Sequence, residues 1–515
     1  MASSYTNDLR LEEINTGEQS GTWGDTTNTN LELIAEGFSS GTETIGNADT
    51  TITMTDGATD AIRSLYVKIS SSADLTQDRT VTLAPSTINK VWVLENNTTG
   101  GYKLVISQGT GANVTIPNGG IKVVYTDGAG AGAAVTDALD LTAGTGNVGL
   151  GSGSLGTALT TGTDNVAIGE NAGDALTSGS DNTFVGDNAG GATTTAANNT
   201  AVGSAALLVN STGAGNTAVG ANALDANTTA NNNTAVGADA LSAATTGHSN
   251  TAVGKEAGEA LTTGTVNVYV GFGAGEAATT GDYNVGVGSD ALTALTTGSS
   301  NTAVGYAALD ANTTASNNTA VGTSSLSANT TGTGNTAVGK DALLDHTTGN
   351  YNTALGYASL YESTTGANNT AVGASASQNI TTGADNVSVG VNALLDATTG
   401  DRNTALGTSA GANLTTGDDN TAIGRMALFT ATTVSDLVAV GKNALYSNTT
   451  GTENTAVGYE AGTAITTGAA NTLVGYVSGD ALTTGGYNTA VGSSALSATT
   501  TAAHNTAIGY GALTV

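Results

Sequence analysis

The sequence contains no cysteine, and its 515 residues include only two prolines and 4% aromatic side chains. Without cysteine the chain has neither disulfides nor thiolate metal sites. It also lacks any run of about 18 apolar residues, so we expect no membrane insertion. The first residues have neither the basic nor the apolar region of a secretory signal. We therefore expect the protein to be assembled in the cytoplasm of the cell that makes it.

Positive charge is also scarce in this sequence. Twelve Lys and Arg stand against 42 Asp and Glu, which gives a net charge of −30, and only five of the cations lie beyond residue 146. Such a chain offers no patch that would neutralise phosphate groups, so we predict that nucleic acid is not a partner. The charge balance indicates a soluble, acidic surface.

What the sequence has in abundance is a repeat. The motif Asn-Thr-Ala-Val-Gly recurs from residue 165 onward, and its glycine returns every 17 residues from Gly169 to Gly509 without an insertion or deletion. A related unit with Asn147 and Gly151 precedes this series. A unit of constant length that is too short for a helix pair indicates one coil of a β-solenoid, with parallel strands about 4.8 Å apart. We predict a solenoid shaft (β-roll) of about 22 coils over residues 147–515.

Within each unit, columns of equivalent residues are defined by their distance from the invariant glycine. The residue just before it is always Val, Ile or Leu (the valine column), which predicts the main ladder of the core. The residue four before it is Asn in every unit except that of Leu437 (the asparagine column), which predicts amides hydrogen-bonded from coil to coil. The glycine itself requires either a positive φ or a close backbone contact. A second glycine ten residues later is replaced by Ala196 and Val434, so that turn tolerates a side chain.

A compensating pair of positions follows the invariant glycine. Where Leu stands four residues after it, as at Leu207, the residue three further on is often Asn, as at Asn210. Where Gly stands there instead, as at Gly173, the second position is often aliphatic, as at Leu176. We interpret this as one core slot filled from either side of a bend. Two units break the rule: one has both Leu292 and Leu295, and another pairs Gly190 with Thr193.

Each coil is expected to bury about two large aliphatic side chains and several alanines, which is little for a solenoid with a free flat face. Association of chains would add the missing burial, and a closed three-fold arrangement suits a fibre. We therefore predict a homotrimer. The overall prediction is an all-β protein in which an N-terminal β-sandwich-like domain with a short helix precedes the parallel solenoid.

Residues 1–44 are predicted to form a docking segment with one short helix. Asn30 is expected to cap that helix, and Trp23 is expected to lie in the preceding Gly-flanked loop. Trp23 is interpreted either as an anchor for a partner or as a cover for the domain's own core. The candidate docking residues are Trp23, Leu31, Leu33, Ile34 and Phe38.

Residues 45–128 are predicted to form an antiparallel β domain, because seven short runs alternate apolar and polar residues between Gly and Asn turns. Trp92, between Val91 and Val93, is expected in its core. Residues 129–146 contain a Gly/Ala-rich stretch that is predicted to form a neck before the solenoid.

The sequence offers no catalytic constellation, so we predict that the protein is not an enzyme and binds no cofactor or metal. His248, His346 and His504 occupy different positions in distant coils and are expected to be exposed singly. Glu256 and Glu259 could be neighbours, but a paired-carboxylate site needs a cleft, and units of uniform length leave no inserted loop to build one.

Two further columns of the repeat are candidates for surface functions. Paired threonines such as Thr228-Thr229 raise the possibility of ice binding, but neighbours in a strand face opposite sides, so each pair presents one Thr outward and we expect none. The residue after the invariant glycine varies freely and is predicted to face solvent. It is either ordinary surface or a set of tyrosines that stack on sugar rings, for which the candidate receptor contacts are Tyr306, Tyr357, Tyr459, Tyr476 and Tyr510.

Two segments resemble known families. The unit NTAVGYEAGTAITTGAA at 454–470 is similar to the head repeats of trimeric autotransporter adhesins, although those repeats have a shorter period. The segment YTNDLRLEEINTGEQSGTWGDTTNTNLELIAEGF at 5–38 resembles the opening of tail-fibre and other virion-fibre proteins of tailed phages. With the repeat array, the second resemblance extends over nearly the whole chain.

The phage resemblance implies a homotrimeric tail fibre that is part of the virion. Its N-terminus would attach to other virion proteins, such as a tail or portal-proximal adaptor, and its shaft would reach a glycan or protein of the host surface for adsorption. The alternatives are a fibre attached to the head or capsid, and a bacterial surface or secreted trimeric adhesin. The adhesin is disfavoured here because those proteins need a signal peptide and a C-terminal membrane barrel.

Overall fold

The computed structural model describes residues 8–13, 21–138, 146–156 and 158–514. The chain divides into two compact units, residues 1–141 and 142–515. Within the described ranges, no helix is both long enough and apolar enough to cross a membrane.

In its described residues, the first unit contains one α-helix, nine strands and two short 3₁₀ segments. The helix α1 is Trp23–Gly37, and the 3₁₀ segments are Ala61–Arg63 and Gly130–Gly132. The strands are β1 (Ser40–Ile45), β2 (Thr50–Thr53), β3 (Tyr66–Ser71), β4 (Arg79–Ala84), β5 (Asn89–Asn97), β6 (Leu104–Ser107), β7 (Val114–Ile116), β8 (Ile121–Asp127) and β9 (Val135–Asp137).

These strands form two sheets, ordered β1-β3-β5-β8-β9 and β2-β4-β6-β7. The chain alternates between the sheets through its first six strands, so β1, β3 and β5 pair in parallel, as do β2, β4 and β6. Among the strands that the structure describes in this unit, only the later pairs, β5-β8, β8-β9 and β6-β7, are antiparallel. The prediction of an antiparallel domain is therefore wrong for its first half. Alternation of apolar residues identifies a half-buried strand but not the direction of its neighbour.

The sheets also extend past the predicted domain limits of 45 and 128. Strand β1 pairs with β3 over Ser40–Ile45, inside the segment assigned to docking. Strand β9 pairs with β8 over Val135–Asp137, inside the predicted neck. Residues 139–145 of that neck lie outside the described residues.

Helix α1 begins at Trp23, seven residues earlier than the predicted cap at Asn30. Asn30 is inside the helix, where its side-chain oxygen accepts from the backbone N–H of Glu12 and its amide donates to the carbonyl of Glu12, both at 3.2 Å. This tertiary pairing explains why the prediction was wrong: Asn is a poor residue for a helix interior when it has no such partner.

The core of the first unit lies between its two sheets. Trp92 is 1% exposed and donates from Nε1 to the carbonyl oxygen of Ile62 at 2.7 Å, which confirms its predicted place in the core. Arg63 is buried and donates to backbone carbonyls of Thr55 at 2.6 Å and Ala58 at 2.8 Å. The Lys90 ammonium bonds the carbonyl oxygen of Arg63.

The second unit is a parallel β-solenoid, one 22-stranded sheet in which each strand pairs with the next along the chain. Equivalent residues are in register, for example Thr302 with Thr319 and Val304 with Val321. The strands β10 to β31 are, in order, Val148–Leu150, Val166–Ile168, Thr183–Val185, Thr200–Val202, Thr217–Val219, Thr234–Val236, Thr251–Val253, Val268–Val270, Val285–Val287, Thr302–Val304, Thr319–Val321, Thr336–Val338, Thr353–Leu355, Thr370–Val372, Val387–Val389, Thr404–Leu406, Thr421–Ile423, Val438–Val440, Thr455–Val457, Thr472–Val474, Thr489–Val491 and Thr506–Ile508. The predicted solenoid and its period are confirmed.

The valine column does not form the core. The middle residue of each strand (the alanine column, two before the glycine) is the one that points inward, so Ala303 is buried while Val304 is 36% exposed. Successive residues of a strand face opposite sides, and the turn after the glycine closes over the middle residue. The prediction that the valine column is the core ladder is therefore wrong.

The asparagine column behaves as predicted. Asn182 donates from its side-chain amide to Oδ1 of Asn165 at 2.9 Å and to the carbonyl of Ala196 at 2.9 Å, and its backbone N–H donates to the same Oδ1 at 3.0 Å. Where Leu437 replaces Asn, its backbone N–H still bonds Oδ1 of Asn420 at 3.1 Å. The column thus satisfies buried polar groups of each turn from the neighbouring coil.

The invariant glycine satisfies both predicted requirements. At Gly305 φ is +142°, and a Cβ there would lie 2.4 Å from the carbonyl oxygen of Gly322 in the next coil. The glycine ten residues on has no positive φ, as at Gly298. That difference agrees with the side chains that the second turn tolerates.

The compensation between core positions is confirmed, and the alanine column is a third partner in it. Leu207, four residues after its invariant glycine, and Leu176, seven residues after its own, are both buried. Both exceptions follow from the third position. In the coil of Gly190 and Thr193, the alanine-column residue is Phe184, whose ring fills the space that the two small residues leave. Leu292 and Leu295 fit together because the alanine-column residue of their coil is Gly286.

Candidate functional surfaces

One surface that continues from coil to coil along the solenoid is the outward side of its sheet. There the residue that begins each strand, Thr in most coils and Val in the others (the threonine column), runs beside the valine column; the two columns together are called the outer face. Its aliphatic side chains are partly or largely exposed, with values of 36% for Val236, 37% for Val253 and 47% for Leu355. The outer face is therefore a row of solvent-exposed methyl groups and threonine side chains that repeats in every coil.

The outer face carries no charge, although the protein is strongly acidic. In every repeat unit from 165 to 509, the five residues from the asparagine column to the invariant glycine contain no Asp, Glu, Lys, Arg or His. The carboxylates lie in the turns instead. Asp401 and Asp418 there accept backbone N–H groups of Ala384 and Asp401, both at 2.7 Å. Those acidic side chains satisfy backbone donors of the preceding coil.

A second column of interest follows the invariant glycine and holds the candidate tyrosines, all of which are exposed. Tyr306 is 58% exposed and Tyr510 87%, whereas Tyr459 is 37% exposed because it stacks on Tyr476 with ring centroids 5.2 Å apart. The Lys442 ammonium lies 5.0 Å from the Tyr459 ring. The structure thus brings two of the five tyrosines together and leaves Tyr306, Tyr357 and Tyr510 apart.

A third surface is an apolar stripe formed by helix α1 and by Phe38, the residue that caps its C-terminal end. Trp23, Leu31 and Phe38 are 67%, 58% and 77% exposed, and Ile34 is half-buried. Residues at these spacings lie on one side of an α-helix. Leu33 lies on the other side and is buried, so it supports the domain instead of the stripe, and its inclusion among the docking residues is wrong. The exposure of Trp23 excludes the reading that it covers the domain's own core.

The histidines differ from one another. His248 and His504 are exposed as predicted, and His504 stacks on Tyr487 at 5.0 Å. His346 is buried, so the prediction of exposure is wrong for it. Its Nε2 lies 2.7 Å from the carbonyl oxygen of Gly349, and the Ser363 hydroxyl lies 3.5 Å from Nδ1. Burial lowers the pKa of His346 below its usual value.

The acidic residues near Glu259 do not form a cleft. Glu259 and Glu276 follow one another in successive coils, beside a shallow depression lined by alanines and Ser242. Partial burial and then the carboxylates of Glu256 and Glu276 raise the pKa of Glu259. In the part of the chain that the structure describes, no three His, Cys, Asp or Glu side chains are grouped so that they could hold a metal ion.

The paired threonines are used within the solenoid. The first of each pair donates its hydroxyl to the carbonyl of its equivalent in the next coil, as from Thr228 to Thr245 at 3.1 Å. The second of the pair, such as Thr229, is exposed. Each pair therefore presents one Thr outward, as expected.

The architecture defines the class: a repeat protein with a parallel β-solenoid of 17-residue coils. No protein-family model, curated protein or solved structure matches the chain. The functional reasoning therefore depends on the surfaces themselves.

Sequence reasoning missed the outer face because Val is more apolar than Ala and so was assigned to the core. A signal was nevertheless present. Wherever the alanine column holds a large residue, at Phe184, Tyr269 or Leu473, the fourth position after the glycine is Gly in that coil and in the preceding one. Covariation of size identifies the inward column better than hydrophobicity does.

Proposed function

We propose that this protein is the structural fibre of a tailed-phage particle, with its first unit attached to the virion and its solenoid serving as the shaft that reaches the host surface. The observation that carries the proposal is the single 22-stranded stack of uniform coils. Such a stack spans roughly 100 Å at the spacing of parallel strands. Its function would be reach and presentation instead of chemistry, since uniform coils form no enclosed cleft.

The stripe of Trp23, Leu31, Ile34 and Phe38 supports attachment through the first unit. Exposed aromatic and aliphatic side chains aligned along a helix and its C-terminal cap are the kind of anchor that protein interfaces bury at their centre. It lies in the segment that resembles virion-fibre proteins. The partner proposed for it is another virion protein of the tail or of the portal region.

The tyrosine column supports contact with the host. An exposed pair such as Tyr459 and Tyr476 presents aromatic faces beside Lys442, an arrangement suited to weak stacking on sugar rings. Several fibres on one particle would add such contacts by raising the effective concentration at the surface. The proposed partner is therefore a host glycan or glycoprotein, and no catalytic step is needed.

Immunoelectron microscopy tests this proposal. Antibodies against the purified protein are applied to particles and to cells of the culture that produces it. Labelling of fibres on tails supports the proposal, and labelling on heads supports the capsid-fibre alternative. Labelling confined to the cell surface would establish a bacterial adhesin and refute the phage fibre. Release of reducing sugar from host polysaccharide would contradict the prediction that the protein is not an enzyme.

A further inference from the structure

We infer that the outer face of the solenoid is the surface through which copies of this chain pack against one another, in parallel and in register. The inference deepens the proposed fibre, on which it rests, by assigning the contact that joins its chains. The occupant of the face is a second copy of the same solenoid.

The first argument is exposure. The valine column consists of Val, Ile or Leu in all 22 strands, and its members stand outward, with Val304 36% and Leu406 47% exposed. A single exposed aliphatic residue needs no explanation, but a contiguous apolar row of this length marks an interaction surface. Most residues of both outward columns are β-branched, which gives a regular, stiff surface that loses little side-chain entropy when it is covered.

The second argument is charge. The chain carries a net charge of −30, and two copies that met through their turns would bring carboxylates together. The outer face has no ionisable residue in any repeat unit from 165 to 509. Because it is free of charge along the stack, it is where two identical acidic rods can approach without burying like charges.

The third argument is area and period. A face roughly 100 Å long and two columns wide offers on the order of 1,000 Å², comparable with the ~800 Å² that each partner contributes to a standard stable interface. Side chains on it recur at the strand spacing of about 4.8 Å. A second copy has the same period, so its valine-column residues can meet those of the first copy in every coil, whereas an unrelated surface would fall out of register. A symmetry axis along the rod brings equivalent residues to the same height. Cyclic assembly of identical chains about this face gives a closed fibre.

A matched pair of triple variants tests the inference. Val236→Glu, Val253→Glu and Val304→Glu place charges on the outer face. The control carries Val209→Glu, Val266→Glu and Val391→Glu, three valines that are somewhat more exposed than those of the outer face, at 40%, 42% and 48%, but lie in turns. Glutamate is compatible with each control column, since Glu362, Glu453 and Glu170 occupy the equivalent positions of other coils.

Sedimentation velocity and mass photometry are read over a concentration series, with circular dichroism to check folding. The wild type and the control are expected to form the same oligomer. The outer-face variant is expected to dissociate at a concentration at least tenfold higher. A wild type that remains monomeric at every concentration overturns the inference. If that monomer also shows thermal hysteresis, the outer face binds ice instead. An outer-face variant that assembles like the wild type overturns it as well.

If the outer-face variant does not fold, cysteine crosslinking decides. The chain has no native cysteine, so Val304→Cys introduces a single thiol on the face and Val391→Cys introduces one outside it. Oxidation is expected to join Val304→Cys chains and to leave Val391→Cys chains separate. Absence of a crosslink in Val304→Cys would refute the packing through the outer face. Antibody labelling of fibres on particles would still support the proposed fibre, so the two failures can be distinguished.

Discussion

The ring of Phe184 occupies the space that a side chain at Gly190 would need. A Cβ at Gly190 would lie 2.6 Å from ring carbons of Phe184, and one at Gly173, in the preceding coil, would lie 2.8 Å from the same ring. Tyr269 lies in the same way between Gly258 and Gly275. Each large inward residue is thus paired with two glycines across neighbouring coils, which holds the core volume of the solenoid nearly constant.

This pairing predicts a compensating double variant. Phe184→Ala should lower the stability of its coil by about 3 to 5 kcal/mol, because it leaves a cavity. Gly190→Leu alone should also destabilise, through overlap with the ring. Combined, the two changes recreate the arrangement of Ala201 with Leu207, and most of the loss should be recovered. Hydrogen exchange of amides in that coil measures each variant, and a double variant as unstable as the sum of the singles would contradict the account.

The two turn glycines should respond differently to alanine. A Cβ at Gly305 and one at Gly332 would meet the next coil's carbonyl oxygen at 2.4 and 2.3 Å, but only Gly305 has a positive φ, at +142°. Alanine already occupies the second turn, for example at Ala315, so Gly332→Ala should be tolerated. Gly305→Ala should cost roughly 1 to 3 kcal/mol more, because the strained φ adds to the contact. Equal losses in thermal unfolding would show that φ does not matter here.

His346 should make the solenoid sensitive to acid. The carbonyl of Gly349 can only accept a hydrogen bond, so the neutral imidazole donates to it from Nε2 and accepts a hydrogen bond from the Ser363 hydroxyl at Nδ1. Burial lowers the pKa of His346 below 6.5, so as the pH falls the unfolded chain becomes protonated at this site before the folded chain does. The stability of the solenoid therefore falls as the pH falls. His346→Asn should remove this contribution, because Asn210 makes the same bond to Gly213 at 2.9 Å.

The measurement is hydrogen exchange around residue 346 between pH 7 and pH 5, corrected for the intrinsic pH dependence of exchange. Wild type should lose protection relative to His346→Asn as the pH decreases. His248→Asn, a change at an exposed histidine, is the control and should behave like wild type. Identical pH profiles for wild type and His346→Asn would refute the prediction.

The first unit should become more stable in mild alkali. Burial, and then the positive charge of Arg63, lower the pKa of Lys90 to about 8 from 10.5. Between these values the unfolded chain holds the proton and the folded chain does not, so the stability contributed at this site rises with pH through that window. Lys90→Met should abolish the rise. Fluorescence of buried Trp92 in a Trp23→Phe background reports the unfolding, and a rise of equal size in Lys90→Met would contradict the assignment.

Period and repeat length were sufficient to predict the solenoid, since one coil per unit is the arrangement that a fixed period without insertions requires. The seven strands predicted in the first unit are also present. The directions of those strands were not predictable, because a path that crosses between sheets leaves the same apolar alternation as a hairpin. The start of α1 was missed because the contact of Asn30 with Glu12 is tertiary.

The surfaces were less predictable than the fold. Exposure of Trp23 and Phe38 could be proposed from helical spacing, but burial of Leu33 depends on how α1 packs. Burial of His346 follows from its column, which holds Asn in other coils, and a comparison by column would have found it. The outer face remained hidden because a three-residue strand shows too few alternations to reveal which side is inside.

Cryo-electron microscopy of the purified full-length protein tests the central claim most directly. The account predicts 22 layers about 4.8 Å apart along one axis, with the alanine column inside each coil and the valine column outside. Layers that break into separate compact lobes, or a map with the valine column enclosed within its own coil, would contradict it.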